Sequence, residues 1–274
     1  MSYHVEFPGF GWSFNVSPKA VSVGSFTVYW YGIIIAVGFI LAVIYAMKTS
    51  KRHNVNDDKL LNCVIVGLIT AVIGARLYYV AFRWDYFKSD PAGIFRIHEG
   101  GLAIYGGLIG ALIGGLIVAR IQKMKIPPVL DLASLGFLIG QGIGRWGNFT
   151  NQEAFGSATD LPWRMVSEAT GGVGVHPCFL YESLWCLLGF VILHFYSKRQ
   201  KFDGEIFLMY LVWYGFERTI VEGLRTDSLY LPFAPVRVSQ LLSMLLFVTG
   251  LALLIYNYVR IKKSPRVPAN AAEK

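Results

Sequence analysis

The sequence predicts an all-α integral membrane protein of seven transmembrane helices, N-terminus outside and C-terminus cytoplasmic, with a small extracytoplasmic loop or head region. Three observations carry this. The 274 residues are 54% hydrophobic and only 15% charged, too apolar for an ordinary soluble domain. Seven stretches, near 25–47, 60–83, 100–120, 129–147, 178–197, 204–223 and 238–259, are long and apolar enough to cross a bilayer, which takes about 20 residues. Lysine and arginine are divided unevenly between alternate connections, as membrane topology requires.

Taken in order, residues 1–24 read as an extracytoplasmic arm at the interface. Met1 to Val21 lacks the basic start and continuous apolar run of a cleavable leader and contains Pro8, Pro18 and several aromatics. The first spanning segment then supplies the targeting signal. One set of connections holds Lys48, Lys51, Arg52, Lys59, Arg120, Lys123, Lys125, Lys198, Arg199, Lys201, Arg260, Lys262, Lys263, Arg266 and Lys274. The other holds only Lys19, Arg83, Lys88, Arg96, Arg164, Arg225 and Arg237. The first set is the cytoplasmic one, and the net charge of +8 is mostly this topology signal rather than a mark of nucleic-acid binding.

Within the segments, Gly106, Gly110 and Gly114, and again Gly136, Gly140 and Gly144, recur four apart. Such stripes let two helix backbones approach closely. Gly100-Gly101 and Gly106-Gly107 sit at the outer entrance of the third segment, where exposed backbone could also meet a ligand. Pro127-Pro128 opens the fourth segment and Asp131 follows in its first turns, both favourable at a helix N-terminus, so Asp131 is structural. Residues 148–177, with Pro162, Trp163, Gly171-Gly172, Gly174 and Pro177, form the longest external loop and could make a small cap; residues 262–274 read as a disordered cytoplasmic tail. Cys63, Cys178 and Cys186 lack the spacing of a disulfide framework or zinc site and are packing residues. His98, His176 and His194 are too scattered to suggest a metal, so no metal or cofactor is expected.

With this topology, six segments point polar groups at the outer leaflet: Tyr29 and Tyr31; Arg76; His98, Glu99 and Tyr105; Arg145 and Asn148; His176, Tyr181 and Glu182; and Tyr214, Arg218 and Glu222, followed by Arg225. Tyr214, Arg218 and Glu222 share one helix face through their spacing of four. Arg218 and Glu222 could pair with one another, and a boundary arginine could snorkel. Arg76, Arg145, Arg218 and Arg225 nevertheless outnumber what Glu153 and Glu222 neutralise, unless Glu182 joins them. Surplus guanidinium at headgroup depth suits a phosphate, gripped in two-pronged fashion, and the natural phosphate there is a phospholipid headgroup.

The stretch Gly144-Arg145-Trp146-Gly147-Asn148-Phe149-Thr150-Asn151-Gln152-Glu153-Ala154-Phe155-Gly156 resembles the signature of the bacterial phosphatidylglycerol–prolipoprotein diacylglyceryl transferases. Supporting matches are Tyr29-Trp30-Tyr31-Gly32, Gly74-Ala75-Arg76, Glu99-Gly100-Gly101-Leu102, His176-Pro177 with Leu180-Tyr181-Glu182, and Tyr214-Gly215-Phe216-x-Arg218 with Glu222. The resemblance spans roughly 25 to 260. It implies transfer of the sn-1,2-diacylglyceryl group of phosphatidylglycerol to the lipobox cysteine of a preprolipoprotein signal peptide, releasing glycerol phosphate, at the outer face of the bacterial plasma membrane. This is the first step of lipoprotein maturation. By the same resemblance Arg145 and Arg218 bind and polarise the phosphate, while Tyr31, Asn148, Glu153, Gly156, Tyr214 and Glu222 shape the site, and Arg76 belongs to the lipid-binding set.

One departure matters. Many relatives carry His-Gly-Gly-Leu at the start of the third segment, with the histidine as proposed base; here the place is held by Tyr105 in Tyr105-Gly106-Gly107-Leu108. A phenol serves as base at neutral pH only where neighbouring cations favour its ionised form. The alternatives are a thiol ionised by the positive field itself, with no dedicated base, and His98. Two other function classes compete. A transporter needs polar groups from mid-membrane to the inner side, where these segments are almost purely apolar apart from Asp131 and scattered hydroxyls. A non-catalytic lipid-binding scaffold would bind lipid without releasing glycerol phosphate.

Overall fold

The computed structural model describes residues 2–24, 26–97, 100–231 and 234–263. In chain order it contains β1 (Tyr3–Phe7), β2 (Trp12–Val16), β3 (Lys19–Val23), β4 (Phe26–Tyr29), α1 (Trp30–Thr49), α2 (Asp57–Phe82), the short α3 (Trp84–Phe87), α4 (Ile104–Ile121), α5 (Ile126–Asn151), β5 (Val166–Ser167), α6 (Cys178–Tyr196), α7 (Glu205–Leu224), β6 (Tyr230–Leu231), β7 (Ala234–Arg237) and α8 (Val238–Lys263). The chain is mostly helical. Six stretches, Trp30–His53, Asp57–Phe82, Ile104–Ile121, Ile126–Asn151, Cys178–Arg199 and Val238–Lys263, are long and apolar enough to cross a membrane. The remaining expected segment is the 20-residue α7, which carries Glu205, Glu217, Arg218 and Glu222 and so falls short of that apolarity.

Two compact units divide the chain: Val43–Leu132, and the rest. In the Val43–Leu132 unit, α2 starts where the Asn56 side chain caps the amide of Lys59 at 3.0 Å. It packs along α4 at backbone distance. A Cβ on Gly106 would lie 2.3 Å from the Gly74 carbonyl oxygen, one on Gly110 2.1 Å from that of Thr70, and one on Gly114 2.1 Å from Thr70 Oγ1. The first glycine stripe is thus a helix–helix contact. Ala46, Val55, Leu60 and Leu132 form a small apolar core at one end.

The other unit holds a β head and the bundle of α5 to α8. The arm expected over residues 1–24 is strand-paired: β1 and β2 form an antiparallel hairpin, and β5, from the 148–177 loop, adds to the free edge of β1. Period-two alternation explains it, with Val5 and Phe7 buried and Glu6 turned outward. Val5, Phe7 and Val16 pack with Phe149 of α5, Met165 and Val175 of the loop and Phe179 of α6. Tyr29 falls in β4 rather than in the first helix and is exposed.

The second glycine stripe behaves differently. Gly136 makes ordinary contact with Ala42 and Gly144 is tight against Ile35, but a Cβ on Gly140 would meet open space. The tight positions missed by the four-residue spacing are Gly142, against Leu187, and Gly147, where a Cβ would lie 2.8 Å from the Tyr31 ring. α5 runs past its expected end to Asn151, so Asn148 is helical; α8 continues through Lys263. The rest of the expected disordered tail, and His98 and Glu99, lie outside the described residues.

Gly110→Ala should therefore destabilise the protein by about 1–3 kcal/mol through overpacking. Gly140→Ala, with room for the methyl and better helix propensity, should leave stability unchanged or raise it. Thermal unfolding in detergent checks both, and equal losses would contradict the packing described here.

Candidate active site

Three helices bring the ionisable groups together. α5 and α6 are registered by Trp146, whose indole donates to Ser183 Oγ at 3.1 Å, and by Ser183, whose hydroxyl donates to the Gly142 carbonyl at 2.7 Å. α6 and α7 are joined by a reciprocal pair: Trp185 donates to the Trp213 carbonyl and Trp213 to the Trp185 carbonyl, each at 3.0 Å, with the indoles stacked at 4.4 Å. Gln141 bonds Tyr210 at 3.0 Å, tying α5 to α7. α7 packs on α8 where a Cβ on Gly215 would strike the Ser243 carbonyl at 2.7 Å.

This framework places Arg145, Glu182 and Arg218 in contact. Arg145 Nη2 lies 2.5 Å and Arg218 Nη1 2.7 Å from the same oxygen, Glu182 Oε2. Arg218 Nη2 also pairs with Glu222 one turn on. Glu182 and Glu222 are almost fully buried. Such a network is costly to desolvate and holds only when each charge is met by its opposite. Tyr214 lies one turn before Arg218 and stacks on Tyr210 with ring centroids 5.7 Å apart.

The signature turn continues the network outward. Arg145 Nη1 reaches Asn148 Oδ1 at 3.4 Å, and Asn148 Nδ2 donates to Glu153 Oε1 at 3.0 Å. Asn151 Nδ2 reaches the same Glu153 oxygen at 3.4 Å. Gln152 and Ala154 adopt positive φ to turn the chain off α5. Gly156 is required by space: a Cβ would lie 2.7 Å from His176 Cβ and 2.9 Å from Cys178 Sγ, while its amide donates to the His176 carbonyl at 2.9 Å. Tyr31 packs its ring on Gly147.

Two arginines of the expected set have other partners. Arg225 Nε and Nη2 grip Asp227 at 2.9 and 2.7 Å, and that hydrogen bond holds the Asp227 carboxyl below its ordinary value. Arg76 lies in the Val43–Leu132 unit with every donor used: Nε on the Ile94 carbonyl at 2.9 Å, Nη1 on those of Gly100 and Gly101 at 2.7 and 2.9 Å, and Nη2 on those of Gly93 and Arg96 at 2.6 and 3.3 Å. Gly100 and Gly101, both at positive φ, let the backbone close on this guanidinium. The backbone of this glycine pair, which could also have met a ligand, meets an arginine. Tyr105 stands in the first turn of α4, in that same unit, and is half-buried.

Glu182 was the missed centre. In the sequence it is the condition on which the arginine surplus depends, and it does join, so Arg145 and Arg218 are balanced by Glu182 and Glu222. Glu217 was also missed: it is 5% exposed, and neither carboxylate oxygen has a hydrogen-bond partner among the described residues. A further acid, Glu205, is fully buried at the start of α7 and accepts from Tyr196 at 2.7 Å and from Tyr258. It qualifies the expectation that the inner ends hold little but Asp131.

A family model described as prolipoprotein diacylglyceryl transferase matches residues 18–256. The chain is 43% identical over 246 residues to a phosphatidylglycerol–prolipoprotein diacylglyceryl transferase of Finegoldia magna, covering 89% of this chain and 97% of the relative. Proteins of the same name match from Clostridioides difficile, 41% identical over 227 residues (83% of this chain, 90% of the relative), and from Staphylococcus haemolyticus, 42% identical over 259 residues (91% and 90%). The chain belongs to the prolipoprotein diacylglyceryl transferase family.

Removing the shared carboxylate should cost more than removing a rim one. Glu182→Gln, which leaves two buried guanidiniums without their common charge, should destabilise the protein by about 3–5 kcal/mol. Asp227→Asn, at a half-exposed pair, should cost no more than about 1 kcal/mol. Thermal unfolding of both variants in detergent tests the difference; an innocuous Glu182→Gln would contradict the assignment of Glu182 as the centre.

Proposed function

We propose that this chain transfers the sn-1,2-diacylglyceryl group of phosphatidylglycerol to the thiol of a lipobox cysteine in a preprolipoprotein signal peptide, forming a thioether and releasing glycerol phosphate. Family membership supports the reaction. The observation that carries the site is the convergence of Arg145 and Arg218 on one oxygen of Glu182. Glu182 holds both guanidiniums against one oxygen, which supports a reading in which one phosphate meets both. Each guanidinium has five N–H donors and spends only part of them on the carboxylates and Asn148, so donors remain for the ligand.

The protein lies in the bacterial plasma membrane with α7 as a seventh spanning helix, the N-terminus outside and the cluster near the outer leaflet. The uneven lysine and arginine distribution supports this orientation, and the six apolar helices support a multi-pass arrangement. The head and the signature turn then face the compartment from which the peptide arrives. In this reading no transport path is needed, and the charges of α7 serve the lipid phosphate.

The chemistry is substitution at the glycerol carbon that bears the phosphate ester. The cysteine sulfur attacks, the carbon–oxygen bond breaks, and its electron pair stays on the phosphate. Arg145 and Arg218 stabilise that departing charge in a low-dielectric site, usually the largest contribution a protein makes to such a step. Asn148 and Glu153 fix Arg145, Glu182 and Glu222 fix Arg218, Tyr214 stands one turn before Arg218 on the same helix, and Gly156 and Tyr31 set the backbone around them. Arg76 takes the role of anchoring its own 93–101 loop. Tyr105 holds the position where many relatives carry histidine, and ionisation of the thiol falls to this phenol, to His98, or to the positive field alone with no dedicated base.

Arg145→Ala and Arg218→Ala should each abolish or nearly abolish transfer, measured with purified protein, phosphatidylglycerol and a lipobox peptide by peptide mass and released glycerol phosphate. Tyr105→Phe should lower the rate less than either. Turnover near wild type in an arginine variant would sink the phosphate clamp, whereas total loss in a folded Tyr105→Phe would make the phenol essential.

A further inference from the structure

Glu217 has no use in the mechanism above, yet its placement demands one. It is buried within α7, and neither oxygen is hydrogen-bonded. A buried polar group without a partner is costly, and native proteins keep few of them. The charged groups acting on it are Glu182 of α6, Arg145 of α5 and its own neighbour Arg218; the Cys186 thiol of α6 also feels it. Tyr210, Tyr214 and Glu222 are the remaining titratable groups of the cluster on α7. α8, which packs along α7, brings no titratable side chain between Val238 and Ile255. Glu217 therefore stands beside the phosphate-binding arginines without taking part in their pairing.

Charge balance gives it a task. Arg145 and Arg218 are already neutralised by Glu182 and Glu222. A phosphodiester adds one negative charge and, on leaving as a monoester, develops a second. An ionised Glu217 would place a further negative charge beside it in a water-poor site. A neutral carboxylic acid instead offers an O–H donor to the phosphate, and this is the form a buried carboxyl without partners supports.

Resting on the transferase reading, we propose that Glu217 is a catalytic residue: a neutral carboxylic acid that hydrogen-bonds the lipid phosphate and protonates it as it leaves. The sulfur–carbon bond forms and the carbon–oxygen bond breaks with its electron pair on the phosphate. The Glu217 O–H bond breaks and its proton passes to a phosphate oxygen. The proton given up by the cysteine thiol then restores the carboxylic acid. Net, the thiol proton ends on glycerol phosphate, and no further reactant is consumed.

The test compares kcat, KM for phosphatidylglycerol and the pH–rate profile of the wild type, Glu217→Gln and Glu217→Asp, with thermal unfolding as a check on the fold. Glutamine keeps a neutral donor but has no proton to transfer. Its KM should stay near wild type while kcat falls by about 100-fold or more, the usual scale for a general acid. The wild-type rate should fall at alkaline pH as the acid is lost; aspartate should retain that limb at a reduced rate, and glutamine should lack it. An active wild type beside a Glu217→Gln with kcat within threefold and the same pH profile would overturn the proposal alone. A Glu217→Gln that does not fold hands the decision to aspartate, where the absence of an alkaline limb overturns it. A wild type that releases no glycerol phosphate would instead overturn the transferase reading, and this proposal with it.

Discussion

The structure around the site depends on one carboxylate oxygen. Glu182 Oε2 receives both Arg145 and Arg218, and the hydrogen bonds that join α5, α6 and α7 keep that contact in register. The Trp146–Ser183–Gly142 chain, the reciprocal tryptophans 185 and 213 and the Gln141–Tyr210 bond fix three helices so that three long side chains meet. Two guanidiniums sharing one oxygen would repel each other if left alone. Glu222, on the far side of Arg218, supplies the second negative charge that makes the arrangement tenable.

The same contact explains the character of α7. A helix meant only to cross a bilayer would not carry Glu217, Arg218 and Glu222 within two turns, because each charge weakens insertion. Arg218 and Glu222 are instead set against each other and against Glu182 and Arg145, so the charge of the site is concentrated while its net value stays small. In the proposed reaction an arriving phosphate would meet oriented donors that have already been desolvated, and preorganisation would be the main service of the fold.

Much of this was legible in the sequence and some was not, for identifiable reasons. Hydropathy located the helices to within a few residues, and the Tyr214, Arg218, Glu222 spacing revealed a polar face, because both signals are local. Glu182 was visible only as a possible partner, since its distance of 36 residues from Arg218 leaves the pairing to tertiary packing. Arg76 looked like a lipid ligand because a buried guanidinium advertises demand for an acceptor without saying which. Five backbone carbonyls of the 93–101 loop supply it, and positive-φ glycines were the available hint. The β head was obscured by its aromatics and prolines, although Val5 and Phe7 carry the alternation of a strand. Gly140 shows the converse error, a correct spacing whose central position faces open space.

The central claim is that phosphate departs from carbon while Arg145 and Arg218 hold it. The most direct measurement uses phosphatidylglycerol carrying heavy oxygen solely in the bond between the diacylglycerol carbon and phosphorus, with mass spectrometry of both products after one turnover. The label should appear in glycerol phosphate, and the lipidated peptide should carry none. Label absent from glycerol phosphate would mean that the phosphorus–oxygen bond breaks instead, and the arrangement of arginines around Glu182 would need a different chemical explanation.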